Sequence, residues 1–356
     1  MADQTSQPTG HFQMKTLLKH SLVAASLLIS LDASAERFLL AQKVEQGPVL
    51  ERLAADPAWS AAKPVTIHMH SGSGFADGKT TANIKAVYTS DTLYLMFTYD
   101  DPSQSYRYSP YQKQSDGSWK RLTDPNDKGG DNNRYYEDKW AIFWNIDESS
   151  IRGFKKRGCY AACHDEVTTK PYGNKYTKNA GEIGDIWQMR SVRGGVSLGQ
   201  PDNQYVDSTR YDKDKAPDSG RKSDARTGGG YDEVRLVGGK PEFMNKDGKA
   251  ANKGGSYWIR LEDRVPFDDA KFVAGDEVAS VVVSKFTGDR GNLTGAGAWA
   301  DGKWTYVVAR KLTTASPYDV QFKDLDAAYY FGFAAFDNSQ VRHAIHKGPV
   351  ILRFAR

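Results

Sequence analysis

Two cysteines are all that the 356 residues hold, too few for a disulfide framework, and a chain this long buries a core that needs no staples. Charge of either sign is not in excess. The 48 Lys and Arg against 44 Asp and Glu leave +4, far from the basic stripe that a phosphate backbone requires, so nucleic acid is a poor partner. Outside one stretch near the N-terminus there is no long apolar run, and that stretch is about half the ~20 residues a spanning helix needs. Nor is there an internal repeat at a fixed period, a long amphipathic helix or a dividing linker. What is present, 39% apolar and 12% aromatic residues, describes a soluble globular chain.

The N-terminal stretch, MKTLLKHSLVAASLLISLDASA from Met14, has Lys15, Lys19 and His20 as a basic start, Leu22 to Leu31 as the apolar segment, and Ala33-Ser34-Ala35 as a small-residue cleavage site. It reads as a secretory signal with a mature start near Glu36, and Met1–Gln13 as an upstream extension. Residues 1–35 are therefore set apart, and the expected product is exported to the periplasm.

From residue 36 onward the expectation is a single all-β domain. NIKAVYTSDTLYLMFTYD, Asn83 to Asp100, reads as a hairpin around Ser90-Asp91, with Leu93, Leu95 and Phe97 sharing a face. Further strands are expected at Lys139–Asn145, Tyr257–Leu261, Glu277–Phe286, Lys303–Leu312, Tyr329–Phe336 and Pro349–Phe354. They are short, aromatic or β-branched and bounded by Gly, Asp and Asn, which predicts an antiparallel β-sandwich with a few short helices. The polar stretches Ser115–Arg134 and Gln200–Lys253 read as long loops.

The whole cysteine content lies in KKRGCYAACHDE, Lys155 to Glu166: Cys159 and Cys163 are four apart, and His164 follows the second. Cys-x-x-x-Cys-His resembles a c-type haem attachment site, in which two thiols form thioethers and the adjacent imidazole ligates the iron. The usual spacing is one residue shorter, and this is a recognised variant. One motif implies one covalent haem. A local disulfide or a pair of free thiols is the plainer alternative. Zinc is poorer, with only three local donors.

Around this motif, Tyr135–Asn145 (YYEDKWAIFWN), Gly181–Trp187 (GEIGDIW), Gly220–Asp224 (GRKSD), Gly302–Arg310 (GKWTYVVAR) and Phe336–His346 together resemble the ethylbenzene-dehydrogenase-related, cytochrome c-552/DMSO-reductase-like haem-binding domain. The resemblance covers most of the chain beyond residue 35. It implies a β-sandwich around one haem. In b-type members, haem subunits of periplasmic molybdenum enzymes, a methionine and a lysine hold the iron; c-type members carry the Cys-His motif. Related sequences often place a histidine after the tryptophan of the Asp185-Ile186-Trp187 segment, where this chain has Gln188.

The second axial ligand must come from the remaining His68, His70, His343 and His346 or from Met69, Met96, Met189 and Met244. Met96 reads as core. The His68 and His70 imidazoles share a face at a strand end, which solvent explains as well. In Asp337–Lys347 (DNSQVRHAIHK), the segment from which b-type members supply their lysine, His346 is the first choice and His343 the next. Strand alternation puts the two on opposite faces, so only one can reach an iron. Met189 and Met244 stay open. Arg190, with Lys155, Lys156, Arg157 and Arg193, is available for haem propionates or for a docking patch; Trp187, Trp140 and Trp144 are available as pocket walls or core.

Other patterns carry less. Asp124–Asp131 resembles a calcium loop, but Lys128 replaces an oxygen ligand and the closing glutamate is missing. Thr227–Gly230 lacks the Gly-Lys-Ser/Thr ending of a phosphate loop. His70–Gly74 is a turn rather than a nucleophile elbow. The expectation is a monohaem electron carrier working between redox proteins, not an enzyme by itself. The alternatives are a haem subunit of a molybdenum and iron-sulfur oxidoreductase, and a haem-based sensor or ligand-binding module.

Overall fold

Most of the aromatic and β-branched runs form the strands they predict, but Tyr257–Leu261 keeps only Ile259–Arg260, and Glu277–Phe286 breaks into Glu277–Val278 and Val281–Thr287 in different sheets. In the computed structural model, which describes residues 37–128, 130–162 and 175–356, thirteen strands among the described residues build the principal sheet. They are β1 Arg37–Lys43, β2 Val65–Met69, β3 Thr80–Tyr88, β4 Thr92–Asp100, β5 Lys139–Asn145, β6 Gly184–Arg190, β7 Asp202–Val206, β8 Arg221–Ser223, β9 Thr294–Ala300, β10 Lys303–Lys311, β11 Tyr329–Phe336, β12 Ala344–Ile345 and β13 Val350–Phe354. Their order is β8-β7-β6-β5-β11-β13-β1-β3-β4-β10-β9, with β2 beside β3 and β12 beside β11. All pairs are antiparallel except those of β1, which lies parallel to both β13 and β3. The upstream extension and signal segment lie outside the described residues.

The layers are the two halves of one curled sheet rather than separate sheets. Ring contacts close the curl: Phe97 of β4 meets Trp140 of β5 at 4.6 Å and Phe333 of β11 at 4.9 Å. Period-two alternation decides what goes inside. Trp140, Ile142 and Trp144 on β5, Trp187 and Met189 on β6, and Phe331 and Phe333 on β11 all point into this core and are fully buried. Each such side chain contributes about 1.5–3 kcal/mol of burial. The core also encloses Arg310, whose guanidinium meets Asp185 at 3.2 Å and Asp319 at 3.7 Å, all three side chains being out of solvent.

The long-loop reading of Gln200–Lys253 is corrected. That stretch contains β7 and β8 and a strand at Gly228–Glu233 that pairs with Val281–Thr287. Polar residues hold strand positions here because their side chains find partners: Asn203 donates to Asp319 at 2.7 Å, and Asp202 accepts from Arg290 at 2.6 Å. Hydrophobic alternation gives no signal for such strands. Ser115–Arg134 likewise contains the short strand Trp119–Arg121, paired with Tyr111–Lys113.

Candidate functional site

The same alternation that fills the core leaves the opposite face of β5, β6 and β11 with small and mid-sized side chains. Gly332 and Ala334 of β11 lie across from Phe143 and Ala141 of β5, which in turn face Ile186 and Gln188 of β6. Together these residues floor a mainly apolar cavity of about 320 Å³, within the range of small-molecule and cofactor sites.

Cys159 lies over this floor. It sits in the short helical turn Gly158–Ala161, and Gly158 has a positive φ of 58° with its missing Cβ only 2.7 Å from the Gly348 carbonyl. A side chain at 158 would push the turn off the sheet. Gly332 provides the matching recess: a Cβ there would lie 1.9 Å from the Cys159 sulfur. Cys163 and His164 lie outside the described residues.

His343 and Ile345 also line the cavity. The His343 ring lies on Phe336, centroids 4.8 Å apart, and its Nδ1 is 2.8 Å from the Val341 carbonyl. That contact fixes Nδ1 as the protonated nitrogen and makes Nε2 the basic one, the tautomer a metal-ligating imidazole needs.

The preference for His346 is corrected by the same alternation. His346 is 2% exposed and points away from the cavity, and its Nε2 accepts the Phe333 N–H at 3.0 Å. Burial holds its pKa down at about 4, so the ring is neutral. The other ligand candidates also lie elsewhere. Met69 and Met189 are in the main core, Met96 and Met244 in smaller apolar clusters, and exposed His68 bonds Thr81. His70 bridges to Ile345 but does not line the cavity. Among the described residues, His343 is the one histidine or methionine that does. Trp187, Trp140 and Trp144 are core residues rather than pocket walls.

Gln204 and Arg221 line both this cavity and an adjoining polar recess, where Arg190, Lys222, Arg290 and Tyr231 also lie. Arg190 bonds Gln188, Tyr231 and Asp202. The recess is electropositive. Arg190 chiefly draws the Tyr231 phenol down to about 8, while burial and then the Arg190 charge lower Arg221. An anion placed there relieves that crowding of cations. Of the other basic residues, Arg193 is spent on buried Glu137 and Lys155 on Asp147.

The donor set fits a flat apolar macrocycle with anionic side groups: a small-residue floor, a thiol above it, an imidazole lining the same cavity, and arginines at an adjoining recess. Sequence reasoning found the thiol and the imidazole pair but missed Gly332, Ala141, Ala334 and Arg221. The alternation of small residues in YYFGFAAF was the one available signal for the floor.

No curated protein matches the chain. Among solved structures it is similar to a family 9 carbohydrate-binding module from Caldicellulosiruptor kristjanssonii in complex with glucose, at 8% identity over 89% of this chain and 94% of that one, TM-score 0.33. It is also similar to a putative carbohydrate-binding protein from Bacteroides uniformis, at 7% identity over 90% and 99%, TM-score 0.35. Likenesses this distant carry no argument about a ligand. The family model described as ethylbenzene dehydrogenase matches residues 56–348, a span that includes the floor strands, Cys159, His343 and the basic recess, and the chain belongs to that family.

Proposed function

We propose that this chain is an exported, periplasmic monohaem c-type cytochrome that passes single electrons between redox proteins and is a carrier rather than an enzyme. Family membership relates it to oxidoreductases. One observation carries the finer reading: Cys159 and His343, 184 positions apart in the sequence, face the same apolar cavity, and that cavity adjoins a basic recess.

Cys159 and Cys163 would tether the group, with His164 and His343 the residues that would hold its iron. A bound haem supplies a one-electron couple at its iron. The chain does the rest: apolar side chains would keep water off, the Val341 carbonyl holds His343 in one tautomer while Phe336 backs its ring, and Arg221, which lines both cavity and recess, would meet the propionates with Arg190 behind it on Asp202. Two imidazole ligands would set the iron potential below that of a His/Met pair.

The test is expression with a c-type maturation system, acid-solvent extraction and the alkaline pyridine spectrum of the protein fraction. Haem that resists extraction, and is lost from the double variant Cys159→Ala, Cys163→Ala, is the expected result. Protein without haem, or haem that extracts, overturns it. A low-spin spectrum indifferent to carbon monoxide supports electron transfer, and high-spin iron that binds it supports the sensor reading instead.

Family membership also supports a second reading, a haem subunit of a molybdenum oxidoreductase. Co-purification with molybdenum and iron-sulfur subunits from the native host establishes that version, and isolation as a lone monomer excludes it.

A further inference from the structure

Away from the cavity, three carboxylates meet inside the protein. Asp101 follows β4, Asp138 precedes β5 and Asp337 follows β11; because Phe336 pairs with Lys139, the last two emerge side by side at one end of the curl. One carboxylate oxygen of each lies within 4.8 Å of the others. Asp101 and Asp138 are 0% exposed and Asp337 is 3% exposed. Among the described residues none of the three has an ion pair with a Lys, Arg or His, and the surrounding rings of Tyr99, Trp304 and Tyr306 are fully buried.

Three negative charges in such a place need a counter-charge, either protons or a metal ion. Burial raises Asp101 to about 9 when protons are the only choice, and lifts Asp138 and Asp337 as well. The hydrogen bonding argues against shared protons. Asp101 Oδ1 accepts the Ser103 N–H at 3.1 Å, but Oδ2 is buried with no partner; an acidic proton shared between these carboxyls would give that oxygen one. Asp138 accepts three N–H donors, from Ser105 at 2.6 Å, Trp304 at 3.1 Å and Asn338 at 2.8 Å, which favour its carboxylate form against the upward push of burial. Ser103 Oγ donates to Asp337 at 3.1 Å, tying two of the three groups through one residue.

We propose that Asp101, Asp138 and Asp337 form a buried calcium site. The donor chemistry is all oxygen and carboxylate-rich, which selects a hard cation, with no imidazole or thiol to favour zinc. Calcium binds oxygens at about 2.3–2.6 Å, so oxygens up to about 5 Å apart can share one ion, and its tolerance of irregular geometry suits donors from three separate segments. Asp337 also opens the segment that ends at His343, so the ion would anchor the base of that segment. The site is independent of the haem reading and of the Asp124–Asp131 loop, where Asp131 is spent on Arg342 at 2.9 Å.

The experiment is elemental analysis of the purified full chain, followed by chelator stripping and calorimetric titration with calcium chloride alongside circular-dichroism melts. One calcium per chain, a lower melting temperature on stripping, and recovery on adding calcium are expected. Asp101→Asn, which keeps the Ser103 contact, weakens calcium binding at least tenfold. Asp337→Asn does the same, and provides the readout if Asp101→Asn does not fold. A stripped protein that takes up no calcium heat and melts unchanged with and without the ion overturns the proposal and leaves the carboxyls as shared acids.

Discussion

Gly332→Ala tests where the Cys159 thiol lies. The added Cβ would stand 1.9 Å from the sulfur, with the Cys159 Cβ at 3.4 Å and its backbone nitrogen at 3.5 Å. An ordinary contact needs roughly 3.5–4.0 Å, so the sulfur must retreat by nearly 2 Å while the rest of the residue stays put. A free thiol does this by turning about χ1, at about 0.5–1.5 kcal/mol if it leaves its rotamer well. A thioether-linked sulfur cannot turn without lifting the Gly158–Ala161 turn, an overpacking cost of about 1–3 kcal/mol.

Haem-loaded Gly332→Ala is therefore destabilised more than the haem-free form, and its pyridine spectrum shows a fraction with a single thioether. Denaturant midpoints of the single variants and of Gly332→Ala combined with Cys159→Ala give the coupling directly. Removing the sulfur leaves only the ordinary 3.4 and 3.5 Å contacts, so the double variant recovers most of the loss. Additive effects within about 0.5 kcal/mol, together with full two-thioether attachment in Gly332→Ala, would refute the placement of the thiol on the floor.

Two further perturbations separate the paired histidines. His343→Met retains a low-spin six-coordinate iron and raises the midpoint potential, because a thioether donor favours ferrous iron over an imidazole; a potential that responds to His346 variants and ignores His343→Met would reverse the ligand assignment. His346 governs pH dependence instead. Its folded pKa of about 4 lies below the ordinary 6.5, so the unfolded chain binds more protons between those values. Its stabilising contribution is complete above pH ~6.5 and is lost as pH falls toward 4, by up to about 3 kcal/mol. His346→Gln keeps an acceptor for the Phe333 N–H and flattens this window in urea midpoints measured from pH 4 to 7; an unchanged slope refutes it.

How much of this could be read from sequence varied with the physics involved. Lys139–Asn145 and Tyr329–Phe336 were readable to the residue, because both are short, aromatic and bounded by polar turns. The split between His343 and His346 was readable too, since alternation is a property of the backbone. The choice between them was not. It depends on which face of β11 and β12 meets the core, and that is set by the 13-stranded sheet order. β7 escaped because Asp202, Asn203 and Gln204 earn their burial through partners up to 116 positions away. β1 escaped because a parallel strand between β13 and β3 has no turn to announce it. Asp101, Asp138 and Asp337 span 236 positions, and only the curl of the sheet brings them together.

On the proposed reading, the two faces of β5, β6 and β11 are what would suit this fold to a redox centre. An electron carrier works best when a change of charge at its centre moves few atoms and little water. The inner face supplies stiffness: Trp140, Trp144, Trp187 and Phe333 are locked in a close-packed core with low compressibility. Any displacement of Gly332 or Ala141 on the outer face has to be carried through that core. Charged residues at the cavity are few: Lys175 and Arg221 line it, and Arg221 also opens on the recess that holds Arg190, Lys222 and Arg290, where an anion would be met without solvating the floor. The one imidazole among the described residues that lines the cavity, His343, rests on Phe336 and is bonded to the Val341 carbonyl. Loosening those two contacts should therefore broaden the redox transition before it unfolds the protein, because ligand orientation depends on the segment between β11 and β12 while stability depends on the core behind them.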